Sequence, residues 1–219
     1  MAGIQNERSW IEMGWPEAIT LEGNWIRLEP LRPDHASQLA EAAADGNLSE
    51  LWFTTVPNPK DMARAIEDRL ARYRTGTWTP FAVVDKASGE AVGMTSYLNP
   101  APQAPRVEIG GTWYRQSLQS SGINVDAKLL LLEHAFVALR CLAVEFRTHR
   151  MNQRSRRAIE ALGAQLDGIL RNHFDGSGNP RDTCVYSIVN HEWPMVERHL
   201  RYRLQDYRRA LSRPTHDVA

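Results

Sequence analysis

One uninterrupted block constrains this chain more than any other. The strand-like stretch RVEIGGTWY (Arg106 to Tyr114) passes through a turn carrying Ser120, Ser121 and Gly122 into a helix that holds Leu129 to Leu132. Four leucines in a row cover every side of one helical turn, so the helix must be buried on most of its surface and the strand must pack beneath it. The turn between them exposes successive backbone N–H groups at a helix N-terminus, where the helix dipole adds partial positive charge, and an anion such as a phosphate fits there. Taken alone, SSGIN reads as an ordinary capped helix start. The elements around it give it the second meaning.

Ile26 and Leu28 alternate with Arg27 and Glu29, the period of a half-buried strand. Pro33-Asp34 opens an alanine-rich helix to about Ala44, and a second helix follows Pro59 with Met62, Ile66, Leu70 and Tyr73 near one face. Trp78 to Asp85 and Ala91 to Leu98 read as a hairpin around the polar turn Lys86 to Glu90, and three prolines make Asn99 to Pro105 a loop. The leucine-rich helix runs from Gly122 to Arg140. Leu142 to Thr148 is a strand, Asn152 to Leu162 a helix stopping at Gly163, a strand pair flanks Asp175 to Pro180, and a last helix begins near Glu192. Hairpins and strand-helix-strand crossovers in one chain predict a mixed α/β sheet.

The 219 residues show no break in composition, so a single domain, 25–193, is expected, with an N-terminal extension, 1–24, and a C-terminal helix and tail, 194–219. The 26 basic and 26 acidic side chains balance, which argues against a general nucleic-acid binder. No apolar run approaches the ~20 residues that cross a bilayer, and the first residues are too polar for a secretory leader. Cys141 and Cys184 lie in apolar segments without zinc spacing, and the seven histidines have no metal-ligand spacing. A reduced cytoplasmic protein without a metal is the expectation, with a disulfide left open. Aromatic residues in both ends, Trp10, Trp15, Trp193, Tyr202 and Tyr207, suggest a homodimer.

Three stretches, VEIGGTWYRQSLQSSGINVDAKLLLLEHAF from Val107, VEFRTHRMNQRSRRAIEALGA from Val144 and RDTCVYSI from Arg181, resemble in this order the coenzyme-A-binding core of the GNAT superfamily. They most resemble its ribosomal-protein N-acetyltransferases, the RimJ/RimL-like group, over Trp25 to Trp193. The resemblance implies a mixed, mostly antiparallel central sheet, splayed at the cofactor strand and flanked by helices. It implies an acyl-CoA donor, acetyl-CoA in the first place, and an amine acceptor on a protein N-terminus or a small molecule. Gln119, Gly122 and Asn124 match the family's Gln/Arg-x-x-Gly-x-Gly/Ala pattern, Asn124 departing from its small last residue. By resemblance, then, Gln119, Ser120, Ser121, Gly122, Ile123 and Asn124 hold the coenzyme A phosphates. Ile109, Gly110, Gly111, Thr112 and Trp113 pair their backbone with the pantetheine arm, and Asn152 and Ser155 lie near the arm and its sulfur.

Direct acyl transfer in a ternary complex needs no acyl-enzyme, but the attacking amine must be neutral, so the site needs a proton acceptor. Glu108 is the candidate base, since partial burial raises a carboxyl pKa; it is equally placed to be an ion-pair partner of Arg147. Ser155 is the candidate to protonate the departing thiolate, because the tyrosine that many GNAT enzymes carry on this helix is Ile159 here; its hydroxyl equally suits a bond to backbone. Tyr186 either shapes the acyl pocket and donates a proton or is a core tyrosine with a satisfied hydroxyl. Arg147, His149, Arg150, Arg154, Arg156 and Arg157 form a basic cluster for the adenosine 3′-phosphate, with Arg157 counted among the cofactor residues; a solvated helix face and an RNA contact are the other readings. His173 is read at the acceptor cleft. The missing tyrosine also raises a rival function, a noncatalytic acyl-CoA-binding regulatory domain.

Overall fold

The structure, a computed structural model, describes residues 15–54, 56–174 and 178–211. Trp10, the centre of the turn from Asp175 and the tail after Ser212 lie outside the described residues. Strands β1 (Leu21–Glu22) and β2 (Ile26–Pro30) precede helices α1 (Ala36–Ala44) and α2 (Met62–Arg74). Strands β3 (Trp78–Asp85), β4 (Ala91–Ala101) and β5 (Arg106–Tyr114) follow as a meander, then α3 (Ile123–Glu133) and a π turn at His134–Ala138. The chain continues through β6 (Ala143–His149), α4 (Gln153–Glu160), β7 (Gln165–Phe174), β8 (Pro180–Val189) and α5 (Trp193–Leu211). The eight strands form one sheet in the order β1-β2-β3-β4-β5-β6-β8-β7. Every pairing is antiparallel except β5 with β6.

Three local departures from the sequence reading have physical causes. Strand β1 has two residues, too few to leave a period. The segment read as a loop from Asn99 continues β4 through Ala101, with Pro100 tolerated because the β4–β5 ladder is already irregular there, stepping from Leu98–Glu108 to Ala101–Arg106. The helix read to Arg140 leaves α geometry after Glu133, where the last turn widens into the π turn.

Alternation along the strands divides the interior into two layers. On one face α1 and α2 bury Leu39, Met62 and Ile66 against Ala82, Val84 and Met94. On the other, α3 and α5 bury Leu129, Leu132, Val196 and Leu200 against Val83, Tyr97, Val107 and Phe146. The head of α3 is fixed by Asp126, a buried carboxylate that accepts hydrogen bonds from the Trp25 N–H (2.8 Å), the Ile26 N–H (3.3 Å) and Asn24 Nδ2 (3.1 Å). A carboxylate in the first turn is also favoured by the helix dipole.

The sheet opens at one place. Strands β5 and β6 pair only from Arg106–Ala143 to Glu108–Glu145, after which Ile109–Tyr114 and Phe146–His149 have no common ladder. Helices α3 and α4 start beside this gap. Among the described residues, no helix is long and apolar enough to cross a membrane.

Candidate active site

The gap between β5 and β6 is a cleft of about 770 Å³ whose walls come from β5, the turn into α3, β6, the head of α4 and the α1–α2 connection. At the turn, Gly122 sits at the helix start with φ +88°, and an added Cβ would lie 2.7 Å from Trp25 Cζ3 and 3.0 Å from Tyr207 Cγ. Left-handed backbone and crowding together restrict this position to glycine. Ser120 also has positive φ (66°), so the turn is tightly wound. Gln119 braces it: Nε2 donates to the Tyr114 carbonyl (3.0 Å), and Oε1 accepts from Arg154 of α4. Asp45 anchors its approach, accepting from the Ser117 N–H (3.1 Å) and from Arg115 Nε (3.2 Å). The Ser117 hydroxyl, which also donates to Asp45, is the largest of the contacts that hold this carboxyl below its ordinary pKa, followed by the Ser117 N–H and then Arg115.

Gln119, Ser120, Gly122 and Asn124 line the cleft, whereas Ser121 and Ile123 do not. The Ser121 hydroxyl turns back to donate to the Leu118 carbonyl, and Ile123 is part of the core. Along β5, Ile109, Gly110, Gly111, Thr112 and Trp113 all line the cleft. Two buried donors on this wall, Trp113 Nε1 and the Tyr114 hydroxyl, have no hydrogen-bond partner among the described residues. Both side chains are core residues, Trp113 in the layer under α1 and α2 and Tyr114 in the layer under α3 and α5.

On α4, Asn152 caps the helix by accepting from the Ser155 N–H (3.0 Å), and both residues line the cleft. The Ser155 hydroxyl makes no hydrogen bond among the described residues. Arg157 is exposed and outside the cleft wall.

Glu108 lies just behind the wall. It is buried, accepts from Asn99 Nδ2 (3.0 Å) and pairs with Arg147 Nε (3.5 Å). Burial pushes its carboxyl pKa up, against the opposing pull of Arg147 and Asn99. The two readings of this residue, ion pair and elevated carboxyl, thus hold together. Tyr186 stands apart: its hydroxyl accepts from Arg156 Nε (2.9 Å) and donates to Glu160 Oε1 (2.8 Å), fixing α4 onto β8, and it does not reach the cleft wall. His173 is also off the wall, beside Thr183 Oγ1 at 3.2 Å.

Half of the basic cluster is spent on carboxylates that the chain brings in from elsewhere. Arg150 pairs with Asp182 (3.1 Å), Arg156 with Glu160 (3.9 Å) and Arg147 with Glu145 (3.1 Å) as well as Glu108. Arg147, His149 and Arg154 remain on the wall. Both cysteines are buried free thiols, and no cluster of metal ligands occurs among the described residues.

Several wall residues carried little readable signal in the sequence. Leu48, Leu51, Phe53 and Val56 form the rim on the α1–α2 side, with Trp52 71% exposed and packed edge-on to Phe53 and His149. Arg203 and Tyr207 arrive from α5. Lys128 lines the floor; its only sequence signal is a charge set into the otherwise apolar run Ala127 to Leu132.

A mixed sheet split at a parallel pair, with a glycine turn heading the helix beside the split, joins an anion-binding helix start to a cleft lined by strand backbone. The profile described as "Acetyltransferase (GNAT) domain" matches residues 26–165, and the chain belongs to this family of N-acetyltransferases. It is 24% identical to the uncharacterized N-acetyltransferase p20 of Bacillus licheniformis, over 80% of this chain and 98% of that protein. Among solved structures it is similar to a GCN5-related N-acetyltransferase from Brucella melitensis, with a TM-score of 0.77, 28% identity and 86% of each chain covered. It also shares its fold with Mycobacterium smegmatis RimJ in complex with CoA-disulfide, with a TM-score of 0.69, 23% identity, and 87% of this chain and 96% of that one covered.

Proposed function

We propose that this GNAT enzyme takes an acetyl group from acetyl-CoA and passes it directly to a primary amine, on a protein N-terminus or a small molecule. The observation that carries the reading is the parting of β5 from β6 beside the Gly122 turn, which joins an anion-binding helix start to a channel lined by strand backbone. Gln119, Ser120, Gly122 and Asn124 would hold the pyrophosphate, and Ile109 to Trp113 the pantetheine arm. The bound donor supplies an activated acyl thioester. The chain supplies position: a rigid β5 edge on one side and, on the other, a rim of Phe53, Trp52 and His149 that would seat the acceptor. Glu108, raised by burial, would take the proton from the amine through a short path past Gly110, whose Cβ position is 3.3 Å from Glu108 Oε1. Ser155, with its free hydroxyl in the cleft, would return a proton to the sulfur.

Titration calorimetry with acetyl-CoA tests the donor site, comparing the intact chain with Asn124→Glu. Asn124 is on the wall and half-buried, so the substitution places an anion at the phosphates without the Trp25 and Tyr207 collision that any change at Gly122 would cause. Micromolar binding that Asn124→Glu reduces at least about a hundredfold is expected, since like charges meet in a partly desolvated site. An intact, folded chain that does not bind acetyl-CoA overturns the reading. Binding without turnover on any amine would instead identify a noncatalytic regulatory domain.

A further inference from the structure

Strands β4 and β5 fall out of step at the middle of the cofactor wall. Met94 pairs with Trp113 and Ser96 with Gly110, so Thr95 alone faces two residues, Gly111 and Thr112. Such a bulge leaves ladder groups unpaired, and Gly111 within it has φ +58°. Two cationic side chains converge on these residues from opposite faces of the sheet. From α2, Arg69 donates through Nη1 to Ser96 Oγ (3.2 Å) and through Nη2 to the Gly111 carbonyl (3.4 Å), with its guanidinium 5.2 Å from the centre of the Trp78 ring. From α3, Lys128 Nζ donates to Thr112 Oγ1 (2.8 Å), which in turn lies 2.8 Å from Thr95 Oγ1.

Both cations are buried, Arg69 7% and Lys128 6% exposed, and neither has a carboxylate beside it among the described residues. Burial without a counter-charge draws Arg69 down to about 10 and Lys128 down to about 7. An unpaired buried cation is unfavourable, and an apolar side chain such as Met62 or Ile66 on the same α2 face would be the stabler occupant. What the two share is the contact each makes with one residue of the bulge. A glycine peptide outside the ladder has little else to select one of its orientations. The bond to the Gly111 carbonyl selects it, and the Lys128–Thr112–Thr95 chain ties down the next residue.

We propose that Arg69 and Lys128 are positioning residues, a two-sided clamp that fixes the Gly111–Thr112 bulge in the shape that receives the pantetheine arm. This rests on the reading that the cleft binds coenzyme A. Arg69 acts only through Gly111 and Ser96, for it lies off the cleft wall; Lys128 is on the wall. The phosphate turn lies outside the clamp's reach, being held by Gln119, Arg154 and Asp45.

The clamp therefore predicts a split between two halves of one ligand. Calorimetry on the full chain would compare coenzyme A with adenosine 3′-phosphate 5′-diphosphate, which is the coenzyme without its pantetheine arm. Arg69→Met and Lys128→Met each lose about tenfold in affinity for coenzyme A, the scale of one charge-assisted hydrogen bond, and bind the nucleotide fragment as the unaltered chain does. Arg69→Lys, which keeps a donor near Gly111, recovers part of the loss. Variants that keep full coenzyme affinity, or that lose both ligands in equal proportion, overturn the clamp. Should Arg69→Met fail to fold, Lys128→Met carries the test, because it exchanges a buried charge for an apolar chain of similar length. If the unaltered chain binds neither ligand, the donor-site reading falls and the clamp with it; if it binds both and the variants match it, the clamp alone falls.

Discussion

The two ends of the cleft are built by different means. The end at the head of α3 is made by consecutive residues: a wound turn, a glycine with φ +88° and the first N–H groups of α3. The end at the β4–β5 bulge is assembled from α2, α3, β4 and β5, whose residues Arg69, Lys128, Thr95 and Gly111 meet only when the sheet closes. One end depends on local backbone geometry and the other on tertiary packing. Substitutions should therefore fail in different ways at the two ends.

The largest effect is expected from Gly122→Ala. The left-handed backbone and the contacts of 2.7 Å to Trp25 and 3.0 Å to Tyr207 should destabilise the fold by about 3 kcal/mol, read as a lower midpoint in denaturant, together with loss of coenzyme binding. A variant as stable as the unaltered chain would break the contrast by showing that the turn rewinds. Next is Glu108→Gln, at the bulge end, which should leave stability and coenzyme affinity in place and lower kcat about a hundredfold on an accepted amine. The base acts when deprotonated, and burial raises its pKa, so turnover of the unaltered enzyme should rise with pH through that raised value. Glu108→Gln should lose this rise, and a retained acidic limb would assign it to another group.

The smallest effect has the opposite sign. Lys128→Met should stabilise the protein at neutral pH by about 1 kcal/mol, because it removes a buried charge. The folded pKa of about 7 lies below the ordinary 10.5, so between these values the unfolded chain holds more protons and stability rises with pH. The cost of burying the charge is whole below about 7 and absent above 10.5. Thermal melts at pH 6 and pH 10 should show the gain of Lys128→Met shrinking as pH increases. A gain constant with pH would locate it in packing instead. A stabler variant with a weaker grip on coenzyme A would sharpen the contrast, since strain retained at a site is tolerated where it serves binding.

This division also explains what was legible in the residues. Gln119, Gly122, Asn124, Asn152 and Ser155 reach the cleft as read, because turns and helix caps are set by neighbours a few positions away. Ser121 and Ile123, read by resemblance, and Arg157, read from the basic cluster, lie off the wall: the Ser121 hydroxyl turns back to the Leu118 carbonyl, Ile123 packs into the core and Arg157 is exposed. Tyr186 lies off the wall for a longer-range reason. Its partners Arg156 and Glu160 come from α4, and nothing in RDTCVYSI announces them. The basic cluster looked unneutralised because one of its acids, Asp182, sits on β8. Arg69 was hidden in the polar part of an amphipathic helix whose buried face takes in one residue more than its apolar pattern shows.

By itself the sequence determined the element order, the buried α3, the glycine turn at its head and the family, all of which follow from short-range periodicity, backbone preference and contiguous motif. Tertiary structure alone decided where β5 leaves β6, which charges are neutralised, and that two cations from opposite faces meet at one bulge. The physical reason is that burial and electrostatics depend on neighbours in space, and a sheet ordered β5-β6-β8-β7 makes neighbours of residues that the chain holds far apart.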